Sequence, residues 1–144
     1  MAFSIREMKD TDGKIVCELS QQLGYDIDLG QFYGRMSLLK DDQNHSLWVA
    51  ESMETGIVGF IHLEKTIFLV SQPRLEVIAL VVGEKFRGSG VGKRLMLFAE
   101  SFARGDEFDE IALTSNIKRT GAHQFYEKLG YIQKKTSHRY TKKI

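Results

Sequence analysis

The stretch Leu75–Leu95, LEVIALVVGEKFRGSGVGKRL, constrains the fold more than any other part of the chain. Leu75–Val82 is a nearly continuous apolar run, the pattern of a strand buried in the middle of a sheet. Gly88, Gly90 and Gly92 follow, and Val91, Leu95, Phe98 and Phe102 then recur at helical spacing. A strand, a glycine loop and a helix start bring free backbone N–H groups and the positive end of a helix dipole to one point. That is anion-binding geometry, and glycines let the backbone approach a phosphate closely.

The rest of the chain fits around this unit. Phe3–Met8 reads as a first strand. Asp10 and Thr11 are placed to cap a helix that Leu23-Gly24-Tyr25 ends. Leu29–Lys40 reads as a second helix with Phe32, Met36 and Leu39 on one face. Ser46–Ser52 and Ile57–Glu64 form a hairpin through METG. Residues 65–74 hold the sole proline, Pro73, in an apolar but irregular connection. Glu110–Ser115 is another strand. Ala122, Phe125, Tyr126 and Leu129 mark a helix that Gly130 ends, and YIQKK and SHRYTKK read as two short final strands. The order β-α-α-β-β-β-α-β-α-β-β predicts an α/β fold, a single mixed, largely antiparallel sheet flanked by helices, in one domain over residues 1–144.

Composition narrows the function. A net charge of +1 gives no argument for nucleic acid or a charged membrane as partner, and neither is expected. One cysteine, Cys17, permits no internal disulfide and suits a reducing compartment. The N-terminus MAFSIREMKD is polar, and no apolar run reaches the roughly 20 residues of a membrane span, so a cytoplasmic location is expected. The four histidines, His45, His62, His123 and His138, have no metal-motif spacing, and no metal is expected.

Three phosphate-binding patterns compete for the loop. A Walker loop fails, because Arg87 stands where its first glycine belongs and Arg94 where Ser or Thr should follow the lysine. A dinucleotide fingerprint fails, because Gly88, Gly90 and Gly92 give G-x-G-x-G with the third glycine one position early. The third pattern, R-x-x-G-x-G, is met by Arg87, Gly90 and Gly92. Through it, and through LTSNIKRTGAHQFYEKLGY over residues 113–131, the chain resembles the GNAT superfamily of acetyl-CoA-dependent N-acetyltransferases. Element order agrees over almost the whole length.

The resemblance implies acetyl-CoA as cosubstrate, with its pyrophosphate on the N–H groups of Gly88, Ser89, Gly90, Val91, Gly92 and Lys93. Arg87 and Lys93 add positive charge; a solvated basic edge is the alternative. Backbone N–H groups near Leu80, Val81 and Val82 are expected to meet the oxyanion where the strand splays from its neighbour. Asn116 and Arg119 are expected on the coenzyme side, with a plain turn asparagine as the other reading of Asn116. Tyr126 is expected to protonate the leaving thiolate, since a phenol is protonated at neutral pH; a core aromatic is the alternative. Glu76, the only acid in the apolar strand, is the candidate base, or else a solvent-facing residue at the strand's end. His123 reads as a surface or supporting histidine.

The acceptor is left open by the residues. The resemblance assigns it to Gln22–Arg35, Lys65–Arg74 and Lys135–Tyr140 of the last hairpin, and Arg119–Tyr126 is closest to small-molecule members such as aminoalkylphosphonate and aminoglycoside-type acetyltransferases. Tyr25, Asp26 and Asp28 offer negative charge to an amine, or a capped turn. Transfer to a primary amine of a small molecule by direct attack in a ternary complex is the leading expectation. A protein lysine or N-terminal acetyltransferase, and a non-catalytic acyl-CoA sensor, are the alternatives. Ile67–Val70 offer a homodimer edge or a cover for the sheet.

Overall fold

The computed structural model describes residues 2–144. The chain divides after Leu113 into two compact units. The first holds a five-stranded sheet in the order β1-β2-β3-β4-β5, with β1 (Ser4–Glu7), β2 (His45–Ser52), β3 (Gly56–Thr66), β4 (Arg74–Val82) and β5 (Ile111–Leu113). The first four strands pair antiparallel, and β5 lies parallel to β4. The mixed, largely antiparallel sheet is therefore as expected.

Helices cover both faces. Val16 and Leu19 of α1 (Gly13–Gln22) pack with Val49, Ile57, Phe60 and Val81 of the sheet. Cys17 joins Phe32 and Met36 of α2 (Leu29–Lys40) in an adjoining cluster over Leu47. Trp48, the neighbour of Val49, stacks instead on Phe98 of α3 (Val91–Gly105), with ring centroids 4.8 Å apart. Successive strand residues point to opposite faces, so α1 and α2 lie on one face and α3 on the other. Gly59 lets α3 come close: a Cβ there would stand 2.7 Å from the Val81 carbonyl and 3.3 Å from Val91 Cγ1.

The start of α1 departs from expectation. Asp10 and Thr11 fall in a 3-10 turn, Asp10–Asp12, and the helix begins at Gly13. Asp12 carries the junction: its Oδ2 accepts from the Lys9 amide at 2.7 Å and from Arg6 Nη1 at 2.9 Å. Arg6 Nε also donates to Glu51 Oε1 at 3.1 Å, so one guanidinium ties β1, the α1 entry and β2. Burial pushes the Asp12 carboxyl up, but the bonds from Arg6 and Lys9 outweigh it and hold the group below its usual range. Asp10 instead pairs with Lys40 of α2 at 2.7 Å. The second helix has its expected bounds because Asp28 and Gln31 form a reciprocal capping box, at 2.8 and 3.1 Å. Asp28 is thus the capped turn rather than an amine receptor.

The second unit begins at Thr114 and contains α4 (Thr120–Lys128). The helix ends in a Schellman motif. Gly130, at φ 95°, donates to Glu127 O, and Tyr131 N donates to Tyr126 O at 3.1 Å. The two expected final strands are absent: YIQKK and SHRYTKK have no ladder partner, and Ile132–Ile144 are exposed throughout. The physical reason is composition: Tyr131 and Ile132 in the first segment and Tyr140 in the second are too few among polar residues to give either an apolar face. Glu110–Ser115 likewise contracts to the three residues of β5.

Candidate functional site

β4 changes character half-way along. Its partners in β3 run Leu63↔Val77 and then His62↔Ala79, so Ile78 is the extra residue of a β-bulge. A bulge reverses which amides face which neighbour. Before it, Leu75 N donates to Glu110 O at 3.1 Å, towards β5. After it, Gly83 N donates to Val58 O at 2.9 Å, towards β3. Alternation then turns the Val81 amide to β3 and the Leu80 and Val82 amides to the opposite edge. The β5 ladder stops at Leu113, opposite Val77, so among the described residues no strand pairs with that edge beyond the bulge. Of Leu80, Val81 and Val82, the first and last therefore offer an N–H to a ligand, while Val81 sits in the ladder with a fully buried side chain.

The loop continues from this open edge. A short 3-10 turn, Glu84–Phe86, is pinned to α1 by Glu84 N donating to Gln22 Oε1 at 2.9 Å. Arg87 Nε folds back to the Val82 carbonyl at 3.4 Å, which sets its charge beside the open edge. Gly88 and Gly90 have φ of 79° and 90°, the left-handed region that a side chain resists, and no atom lies within 4 Å of a Cβ built on either. The Ser89 hydroxyl donates to the Phe86 carbonyl and stiffens the turn. The first α3 bond is Arg94 N to Gly90 O at 3.0 Å, so the Val91, Gly92 and Lys93 amides have no acceptor inside the helix. Arg87 and Lys93 are exposed, and Arg94 lies over the Phe3 ring at 4.6 Å. Amides, helix dipole and cations suit a pyrophosphate.

Glu76 stands on β4 two residues before the bulge, half-buried on the α1/α2 face. Its Oε1 accepts from Arg74 Nε at 2.6 Å, so its charge is already paired. Beside it runs a chain of side chains that sequence reasoning missed. His62 Nε2 lies 2.8 Å from His45 Nδ1, and His45 Nε2 lies 2.9 Å from Glu64 Oε2. Burial, reinforced by His45, lowers the His62 pKa to about 4. The signal was in the hairpin: once METG fixes the register, His45 faces Glu64 and His62 faces Leu47. Of the proposed dimer edge, Ile67, Leu69 and Val70 are exposed, while Phe68 turns in beneath the Arg74 guanidinium at 4.1 Å.

The remaining candidates belong to the second unit. Asn116 Oδ1 accepts from Lys118 N at 2.9 Å and Asn116 O from Arg119 N at 2.9 Å, a compact turn leading into α4. His123 Nε2 meets the Asn116 carbonyl at 2.8 Å; a carbonyl only accepts, so that nitrogen carries the proton. His123 is thus a supporting residue. Arg119 is exposed ahead of the helix. Tyr126 is half-buried, its ring edge-on to Phe125 at 5.1 Å and to Tyr131 at 6.2 Å.

Comparison with known proteins points to the same family as the sequence motifs. Residues 15–131 match the model of the acetyltransferase (GNAT) family. The chain is 33% identical over 140 residues to the aminoalkylphosphonate N-acetyltransferase of Salmonella typhimurium, covering 94% of this chain and 86% of that one. A structure described as a transcriptional regulator from Bacillus halodurans superposes with a TM-score of 0.81 at 26% identity, over 99% of both chains. AAC(6')-Iy, solved with the bisubstrate analogue CoA-S-monomethyl-acetylneamine, superposes with a TM-score of 0.85 over the whole of both chains; at 18% identity it speaks to the fold. The chain belongs to the GNAT family. It is an acetyl-CoA-dependent N-acetyltransferase. Among the described residues, no helix is long and apolar enough to cross a membrane.

Proposed function

We propose that the chain moves the acetyl group of acetyl-CoA to the primary amine of a small molecule, by direct attack in a ternary complex. The observation that carries the reading is the bulge at Ile78, which frees the Leu80 and Val82 amides on the same edge that leads into the glycine loop. Small-molecule transfer draws support from the Salmonella relative, matched over most of both lengths. Aminoalkylphosphonates therefore head the candidate acceptors. We read residues 1–144 as one N-acetyltransferase domain, supported by a family match that runs through both units.

The amides of Gly88–Lys93, with Arg87 and Lys93, hold the pyrophosphate of the coenzyme; Asn116 and Arg119 act on the coenzyme side. The Leu80 and Val82 amides stabilise the oxyanion, a contribution worth roughly a hundredfold to a thousandfold in rate per donor in comparable sites. Tyr126 supplies a proton to the departing thiolate. Glu76 is a candidate for the amine's proton, but taking one would break its ion pair with Arg74. A cytoplasmic setting suits the lone thiol, Cys17, which is buried and whose pKa burial raises. Exposed Ile67, Leu69 and Val70 support a homodimer, which the mass from sedimentation equilibrium in the ultracentrifuge would reveal.

The test is thiol release from acetyl-CoA across aminoalkylphosphonates, polyamines, aminoglycosides, amino acids and lysine peptides. Turnover with a small amine supports the reading. Turnover confined to peptides assigns the chain to protein acetylation, and tight acetyl-CoA binding with no turnover assigns it to acyl-CoA sensing.

A further inference from the structure

The His62–His45–Glu64 chain has a direction. A carboxylate accepts, so His45 Nε2, 2.9 Å from Glu64, carries a proton. In a neutral His45 the lone pair is then on Nδ1, and the 2.8 Å contact requires His62 Nε2 to be the donor. That leaves His62 with its lone pair on Nδ1. His62 is the cross-strand partner of Ala79, one residue after the bulge and one before Leu80. Such partners sit about 5.5 Å apart at Cα, which sets His62 one strand in from the open edge that carries the Leu80 amide. At the other end His45 lines a surface pocket of about 270 Å³ with Glu7, Lys40 and Asp42.

We propose that His62 Nδ1, backed by His45 and Glu64, takes the proton of the acceptor amine and that the pair delivers it to the pocket beside Asp42. The inference rests on the acetyltransferase activity and not on the choice of acceptor. An alkylammonium gives one proton to His62 Nδ1, and the Nε2 proton of His62 moves to His45 Nδ1. The imidazolium so formed keeps its Nε2–H on Glu64 and faces Asp42 at 3.8 Å. The amine lone pair forms the C–N bond while the C–S bond breaks, and sulfur leaves with that electron pair. The second amine proton ends on the thiolate; the first stays on His62 Nδ1, His45 releases its Nε2 proton to water beside Asp42, and proton exchange with solvent, running back through both rings, restores the starting tautomers. Burial opposes a charge on His62, which favours handing the proton on. The ionisable groups that face this chain are His45 of β2, Asp42 ahead of it, Glu64 of β3, Arg74 and Glu76 of β4, Lys40 of α2 and the Cys17 thiol of α1, with the Arg6–Asp12–Glu51 cluster farther along the same face.

Two measurements test this. The first is the pH–rate profile of wild type, His62→Gln, His45→Gln and Glu76→Gln with an amine that the panel shows to be acetylated. His62→Gln is expected to lower kcat at pH 7 by about a hundredfold with KM for acetyl-CoA unchanged, and His45→Gln to move the acid limb. A His62→Gln rate within twofold of wild type, or a larger loss in Glu76→Gln, would overturn the proposal. The second is nitrogen-resolved imidazole NMR of the whole protein, which needs no acceptor and so separates a wrong acceptor class from a wrong base. Neutral His62 at pH 5, protonated on Nε2, supports the relay; an independent titration near pH 6.5 refutes it.

Discussion

Buried His62 makes stability depend on pH in a window where few other groups change charge. Its pKa is about 4 in the folded chain and near 6.5 in the unfolded one. The folded state therefore binds fewer protons, and stability falls as pH drops below about 6.5, levelling off beneath the folded value. Between pH 7 and pH 4.5 the linkage relation gives a loss of about 2 kcal/mol from this one group. That is a large share of the roughly 5–15 kcal/mol of a typical domain. Urea unfolding followed by circular dichroism at pH 7, 6, 5 and 4.5 measures it directly in wild type and His62→Gln. The two stabilities should converge on acidification, because the glutamine carries no site to titrate. Parallel curves would show that His62 is not held neutral by its surroundings, and the reasoning from its burial would fail. Asp12 does not confuse the result. Its pKa lies below the ordinary 3.8, so its contribution is intact above that value and is lost only as pH falls further.

Other consequences are as specific. Gly90→Val should abolish acetyl-CoA binding by calorimetry and cost about 1–2 kcal/mol in folding, because φ is 90° there and the α3 amides depend on that turn; retained affinity would remove the loop assignment. Tyr126→Phe should bind acetyl-CoA normally and lose roughly a hundredfold in kcat, whereas an unaffected rate would return Tyr126 to a packing role. Glu107 holds φ 61° at the end of α3, where Phe108 N donates to Ala103 O at 2.9 Å, so Glu107→Gly should stabilise the chain by about 1 kcal/mol in urea unfolding.

What could be read from the sequence followed from local patterning. Leu75–Val82 declares a buried strand by its unbroken apolar run, and Gly88 and Gly90 declare a left-handed turn before a helix. The bounds of α2 were readable because Asp28 and Gln31 sit three residues apart ahead of an apolar face. Long-range register was not readable. The bulge at Ile78 exists only in the pairing of β4 with β3, yet it decides which amides face the open edge. The same holds for His45 and His62, seventeen positions apart and in contact only through the hairpin. Asp12 was passed over because Asp10 and Thr11 offered an earlier cap, and Arg6, which selects Asp12, lies on another element. The two final strands expected from sequence do not form, because short alternating polar segments look alike whether or not a partner strand exists.

The central claim is that the edge from the Ile78 bulge to the glycine loop serves acetyl transfer to a small amine. Thiol release from acetyl-CoA with aminoalkylphosphonates, run beside a lysine-peptide arm, tests it most directly. The account predicts saturable turnover with the small amine, lost in Gly90→Val. Turnover with the peptide alone, or acetyl-CoA bound and never consumed, would contradict it.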